Sequence, residues 1–231
     1  MTARISSLFA AATAALAICC AAPAAADPFS QGDTGAHAAG DTTTYFENDN
    51  WVPLIGRRTV LHCSSYGCRT TKRFSFTQAD LFELALIMAT ALDDDTPASE
   101  RAAVRKAIAW MEKRVGTALG TDRDSASISF FSAGRPSQQD CVDEARNTSG
   151  YLHVLHAHGL IKHHTRPIIV SRGNMLRGTM THYGVLMKEA SGTIWAVDSG
   201  VGGNGALPLI EPARRWYARG RSTMPRRLFW G

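Results

Sequence analysis

The chain has 231 residues, 45% of them hydrophobic and 19% charged, which is length enough for one domain with a sizeable core that needs no disulfide staples. Its 25 basic and 20 acidic residues leave a formal charge of +5, with arginines crowded into "PARRWYARGRSTMPRRLFWG". No nucleic-acid-binding motif accompanies this mild excess. It reads as a solvated basic surface, open to attraction by an anionic envelope, and no nucleic-acid partner is expected.

Residues 1–26 read as a secretory signal peptide: Arg4, then the apolar "LFAAATAALAICC", then an Ala24-x-Ala26 cleavage signal before Asp27. Pro23 breaks the apolar run, which is short of the roughly 20 residues a membrane-spanning helix needs. A lipoprotein signal fits less well, because neither Cys19 nor Cys20 ends a run with the small residues such a site wants. The expected location is periplasmic or secreted, with no transmembrane segment after cleavage. Residues 27–50, polar and rich in Gly, Asp and Thr, read as a flexible N-terminal arm. Residues 51–231 read as a single domain.

Short strands are predicted at 59–62 and 72–76, around "LHCSSYGCRTT". With Cys19 and Cys20 removed, the cysteines left are Cys63, Cys68 and Cys141. In an oxidising compartment a local Cys63–Cys68 disulfide is the economical pairing, and Cys141 is then an odd thiol worth attention. Two alternatives stay open: Cys141 pairs with one of the other two, or His62, Cys63 and Cys68 contribute to a zinc site that lacks a second ligand pair.

Thr77 with Asp80 marks the start of a helix over "TQADLFELALIMATAL". "DDDTPASE" breaks it, and "ASERAAVRKAIAWMEKRVGTAL" is an amphipathic helix with Ala103, Ile108, Met111 and Val115 on one face. The segment "GTDRDSASISFFSAGRPSQQ" is a loop holding a short apolar strand. Asp140 then suits the N-cap of a helix ending near residue 158, with Gly159 just beyond it. After that the period changes to that of strands in "RPIIVS", "THYGVLMKE" and "GTIWAVDSG", the last two forming a hairpin. The order is that of an α+β fold.

Three residues form a pattern. Cys141 lies in a first helical turn, where the N–H groups and dipole favour a thiolate. His182 opens one hairpin strand and Asp198 closes the next. A four-residue turn at 189–192 sets His182 opposite residue 199, and a one-residue change of turn length sets it opposite Asp198. Cross-strand partners lie about 5 Å apart, close enough for a carboxylate to orient an imidazole that serves a thiol.

In order and context, "DCVDEA", "HYGVLMKE" and "IWAVDSG" resemble the transglutaminase-like cysteine enzymes, in particular their secreted bacterial peptidase branch. The resemblance covers about residues 137–200. It implies a papain/transglutaminase-like core, the nucleophile helix packed on an antiparallel sheet, here with additional N-terminal helices. By the same resemblance Cys141 attacks an amide carbonyl, His182 carries the proton and Asp198 orients His182. The implied activity is thiol hydrolysis of peptide or isopeptide bonds in a protein or peptide substrate, through an acyl-enzyme. Gln138 and Gln139 are candidates for the oxyanion hole, alongside the Cys141 N–H. Some relatives bind calcium near the nucleophile, which makes Asp140, Asp143 and Glu144 candidates. No Asp/Asn-rich calcium loop accompanies them, acidic residues at a helix start have a simpler role, and no cofactor is expected. Two other functions remain: acyl transfer to amines, and a non-enzymatic envelope binding protein with Cys141 locked in a disulfide.

His153, His156, His158, His163 and His164 crowd one region, but no spacing fixes a third metal ligand, so they read as polar positions near a helix end. "GVGGNG" (200–205) lacks a phosphate-binding context and reads as a wall of the cleft. "NTS" at 147–149 matches a glycosylation acceptor only in pattern, since it falls inside a helix.

Overall fold

The computed structural model describes residues 43–47, 50–54, 57–125 and 133–221. The signal sequence, residues 27–42 and the short strand expected within 126–132 lie outside the described residues. The N-terminal arm was expected to run to residue 50. Within that span β1 (Thr43–Glu47) begins, pairing antiparallel with β2 (Asn50–Leu54).

A second hairpin joins β3 (Thr59–Ser64) to β4 (Thr70–Ser75). Two helices follow. In α1 (Gln78–Ala91) Thr77 forms a reciprocal cap: its Oγ accepts the Asp80 N–H at 3.1 Å, and Asp80 accepts the Thr77 N–H at 2.8 Å. In α2 (Pro97–Leu119) Thr96 is the cap and Pro97 fills the first turn, where its missing N–H costs nothing. Gly120, at φ +85°, ends that helix in the left-handed conformation. The face of α2 carrying Ala103, Val104, Ala107, Ile108, Met111 and Val115 is fully out of water.

The helix expected after Asp140 is α3 (Cys141–Ala157). It packs against β3 and against a four-stranded antiparallel sheet of order β5-β6-β7-β8. These strands are β5 (Ile168–Arg172), β6 (His182–Lys188), β7 (Ile194–Asp198) and β8 (Leu209–Pro212), and α4 (Ala213–Arg219) follows directly. The fold is mixed helix and antiparallel sheet, α+β. Among the described residues no helix is long and apolar enough to cross a membrane.

In the C-terminal arginine-rich stretch the arginines of α4 are exposed, as a solvated basic surface requires, and the aromatic residues are not. Trp216 and Tyr217 on α4 are buried with Leu186, Ile194 and Ala196 of the sheet. The arginines on either side of them turn outward to a single carboxylate: Arg219 Nε lies 2.8 Å and Arg215 Nε 3.3 Å from Glu211.

Cys63 and Cys68 form a disulfide and Cys141 is a free thiol. Between the bridged cysteines the backbone winds the wrong way. Ser65, Tyr66, Gly67 and Cys68 have φ of +73°, +66°, +66° and +59° in succession. For residues with a Cβ this costs about 1–2 kcal/mol each. Hydrogen bonds offset that cost. The N–H groups of Tyr66 (2.9 Å) and Cys68 (2.5 Å) donate to Asp143, and that of Gly67 (3.0 Å) donates to Asp140. Asn147, one turn further along α3, accepts the Cys63 N–H at 2.7 Å and donates to the Cys63 carbonyl at 3.0 Å. The disulfide loop therefore grips the first two turns of α3.

Replacing both cysteines, Cys63→Ser with Cys68→Ser, is expected to cost about 2 kcal/mol of stability, the low end of the usual range because the closed loop is short. It should also raise amide exchange at the start of α3. Unchanged denaturation midpoints and unchanged exchange at residues 141–144 would remove the clamping role.

Candidate active site

Cys141 is the first residue of α3 and half-buried. His182 is the first residue of β6 and Asp198 the last of β7. The turn between these strands is one residue longer than the four-residue turn expected. Lys188 pairs with Ile194, and the intervening 189–193 is held by Glu189 N–H to Thr193 O and Gly192 N–H to Glu189 O, both 2.8 Å. Extending the register places His182 across from Gly200 and Asp198 across from Gly184. His182 is thus opposite neither residue 199 nor Asp198; it is diagonal to Asp198.

That offset of two residues matters because strand side chains alternate with period two. An offset of one would put imidazole and carboxylate on opposite faces. At two they share a face, and the diagonal gap is bridged by a hydrogen bond of 2.7 Å between His182 Nε2 and Asp198 Oδ2. Both opposing positions are glycines. A Cβ at Gly200 would stand 3.4 Å from His182 Cε1 and 3.5 Å from Cys141 Cα and Cβ, so the bare backbone here lies against both residues. A Cβ at Gly184 would fall 2.8 Å from the Trp216 ring.

Trp216 is the residue that sequence reasoning missed. Fully buried, it donates its indole N–H to Asp198 Oδ2 at 2.7 Å, the oxygen that also faces His182. Its signal was present only as an aromatic among arginines. The His182 ring contacts the side chain of Cys141 as well as Asp198. Burial opposes charge on this ring and is the largest single influence. The hydrogen bonds to Asp198 and Cys141, with the charges of both, outweigh it and carry the His182 pKa up to about 9.

The oxyanion candidates are turned elsewhere. Gln138 Nε2 donates to the Arg123 and Ser137 carbonyls at 3.1 and 3.3 Å. Gln139, buried, points its Nε2 at the Cys63 carbonyl at 3.4 Å. The Cys141 backbone N–H has no hydrogen-bond partner among the described residues and is the donor left at the sulfur.

The acidic residues around Cys141 divide into two groups. Asp140 and Asp143 are saturated by backbone N–H groups, as above, with Asp140 Oδ1 also capping Val142 and Asp143 at 3.1 and 3.0 Å. A cation there would have to displace the loop. Glu144, the third calcium candidate, points away from them into a buried set with Asp124 and Glu112. Asp124 accepts the Gln139 N–H at 2.7 Å and Glu112 accepts the Gly205 N–H at 2.9 Å. One oxygen each of Glu112 and Glu144 is buried without a partner among the described residues. Desolvation pushes Glu112 up to about 7 and both Asp124 and Asp143 up to about 6, and it holds Glu144 well above the carboxylate range. Asp124, Glu144, Gln139, Gly200 and Gly202 line a small recess at Cys141.

Cys63, Cys68 and Asp143 cluster closely, but the disulfide leaves no thiolate for zinc. The histidines have protein partners: His164 Nδ1 lies 2.7 Å from Glu100, His163 Nε2 2.9 Å from Asp95, and His156 Nε2 2.9 Å from the Thr165 carbonyl. Asn147 of the "NTS" pattern is buried.

No family model, no curated protein and no solved structure matches this chain.

The shifts set the pH dependence of stability. The buried carboxyls bind protons more tightly folded than unfolded, so their contribution is present below pH ~4 and lost as pH rises through 6 to 7. The His182 contribution is complete below the unfolded value of 6.5 and lost through about 9. Both run the same way. The urea midpoint should fall between pH 5.5 and 9, and Glu144→Gln should make that fall shallower. A midpoint that rises over this interval contradicts the buried-proton assignment.

Proposed function

We propose that this chain is a secreted or periplasmic thiol hydrolase that cleaves peptide or isopeptide amides through a covalent acyl-enzyme. The observation that carries the reading is His182, which touches the Cys141 side chain on one side and the buried Asp198 carboxylate on the other. This is the nucleophile–base–orienter arrangement in one connected set. The resemblance of "DCVDEA", "HYGVLMKE" and "IWAVDSG" to the transglutaminase-like cysteine enzymes supports the same reading. So does the order of their elements: a nucleophile at a helix start, then two adjacent antiparallel strands.

The steps follow from the positions. Cys141 as thiolate adds to the amide carbonyl carbon. The helix N-terminus and the imidazolium both present positive charge to the sulfur. The oxygen that gains charge is stabilised by the Cys141 N–H. His182 passes its proton to the departing nitrogen as the C–N bond breaks, leaving a thioester. Water then adds to the thioester, giving its proton to His182, and the carboxylic acid leaves as Cys141 regains its starting state. Asp198 keeps the ring in the tautomer that serves sulfur, and Trp216 keeps Asp198 facing the ring through the indole hydrogen bond.

Alkylation by iodoacetamide at pH 7, mapped by mass spectrometry, should proceed at Cys141 well above the rate of a small reference thiol. An equal or slower rate ends the nucleophile reading. Asp198→Asn should cut turnover of any substrate found by at least about two orders of magnitude, because the ring loses its fixed tautomer. Trp216→Phe should cut it about tenfold, the scale of one hydrogen bond to a charged group. Full activity in Trp216→Phe would remove that residue from the positioning set. Incorporation of a labelled primary amine into product in place of water would redirect the proposal to acyl transfer.

A further inference from the structure

We propose that Arg172 is the specificity-determining residue of this site, binding a carboxylate of the substrate next to the scissile amide. The inference rests on the reading of Cys141 as nucleophile and deepens it to a substrate class: peptides bearing a carboxylate beside the bond that is cut.

Arg172 ends β5 and is the direct cross-strand partner of His182. Direct partners in an antiparallel pair project from the same face about 5 Å apart, so the guanidinium and the imidazole leave the sheet side by side. Trp216 lies against both. Its ring is 4.8 Å from the Arg172 guanidinium carbon and 6.1 Å, centre to centre, from the His182 ring. At 4.8 Å the ring attracts the guanidinium through a cation–π contact.

Among the described residues that guanidinium has no hydrogen-bonding or ion-pair partner, and its Nε is buried. Glu211 is engaged on both oxygens and Asp198 through Oδ2, while Asp198 Oδ1 is buried without a hydrogen-bond partner among the described residues. Glu211 receives Arg219 on both oxygens at 2.8 and 3.2 Å, and Arg215 at 3.3 Å. Asp198 Oδ2 holds His182 and Trp216. Arg172, Arg215, Arg219 and the protonated His182 thus outnumber Asp198, Glu211 and Cys141, even with Cys141 as thiolate. Burial pulls the Arg172 pKa below its ordinary value, while attraction to Asp198, Glu211 and Cys141 works the other way, which places the cation within electrostatic reach of the nucleophile. A planar, half-buried guanidinium with no hydrogen-bond partner among the described residues matches the two oxygens of a carboxylate.

Two alkylating agents test this without a known substrate. Iodoacetate and iodoacetamide react alike: the Cys141 sulfur bonds to the methylene carbon, the C–I bond breaks and iodide leaves. They differ in that one carries a carboxylate and the other a neutral amide. The readout is the ratio of their rates at Cys141, in which any general change of thiol reactivity cancels. The ratio in the wild type should exceed that of a small reference thiol. In Arg172→Gln it should fall about tenfold, the scale of one charge-assisted interaction, with Arg172→Lys between them. An equal ratio in wild type and Arg172→Gln overturns the proposal. Slow reaction with both reagents in the wild type overturns the nucleophile reading itself, and this proposal with it. A peptide mixture then identifies the source of the carboxylate. It pairs internal Glu and Asp with Gln and Asn, and free with amidated C-termini, and is read by mass spectrometry. Enrichment of cleavage beside acidic side chains assigns a side-chain carboxylate, enrichment near free C-termini assigns a terminal one, and no enrichment counts against Arg172 as an anchor.

Discussion

Two carboxylates at the start of α3 hold the rest in place. Asp140 and Asp143 receive six backbone N–H groups between them, three from the helix and its cap and three from the disulfide loop. The helix donors would be unsatisfied in any isolated helix. The loop donors converge because residues 65–68 share a left-handed backbone that turns successive N–H groups toward one side. Without that convergence the loop would have little to offset its conformational cost, and Cys141 would sit on a fraying first turn. The position of Cys141 thus depends on a contact that links a hairpin and a helix some 75 residues apart in sequence.

Against that fixed helix end, the hairpin contributes by parity. Turn 189–193 has the number of residues that sets His182 and Asp198 two apart in register and on one face. The glycines opposite them follow from the same geometry. Gly200 lets the backbone after β7 lie against Cys141 and His182, and Gly184 leaves the space that Trp216 fills. Parity, two missing side chains and one indole hydrogen bond define the site as much as the three reactive groups do.

The charge around Cys141 is polarised. Behind the helix start, Glu112, Asp124 and Glu144 are buried, backbone N–H groups donate to the first two, and desolvation keeps all three inclined to hold protons. In front, on the sheet and α4, the excess is cationic: His182, Arg172, Arg215 and Arg219. Acids inclined to hold protons on one side and a guanidinium without a hydrogen-bond partner among the described residues on the other favour anionic ligands on the sheet side of Cys141.

Much of this was legible along the chain wherever the interactions are local. Thr77 with Asp80, and Asp140 before Cys141, announce helix starts because a cap acts within three residues. Cys63 and Cys68 are close enough in sequence for their pairing to be the economical one. His182 and Asp198 could be placed on adjacent strands from alternation and a turn signal. The tertiary structure alone decided what depends on distant partners. Register parity turned on one residue of turn length, which side-chain type does not encode. The amides of Gln138 and Gln139 went to backbone carbonyls that only folding brings near. Trp216 and Arg172 were hidden for the same reason. An aromatic in a basic stretch and an arginine at a strand end carry no signal of their roles until a helix from later in the chain folds back over the sheet, burying Trp216 against Asp198 and bringing it to Arg172 beside His182.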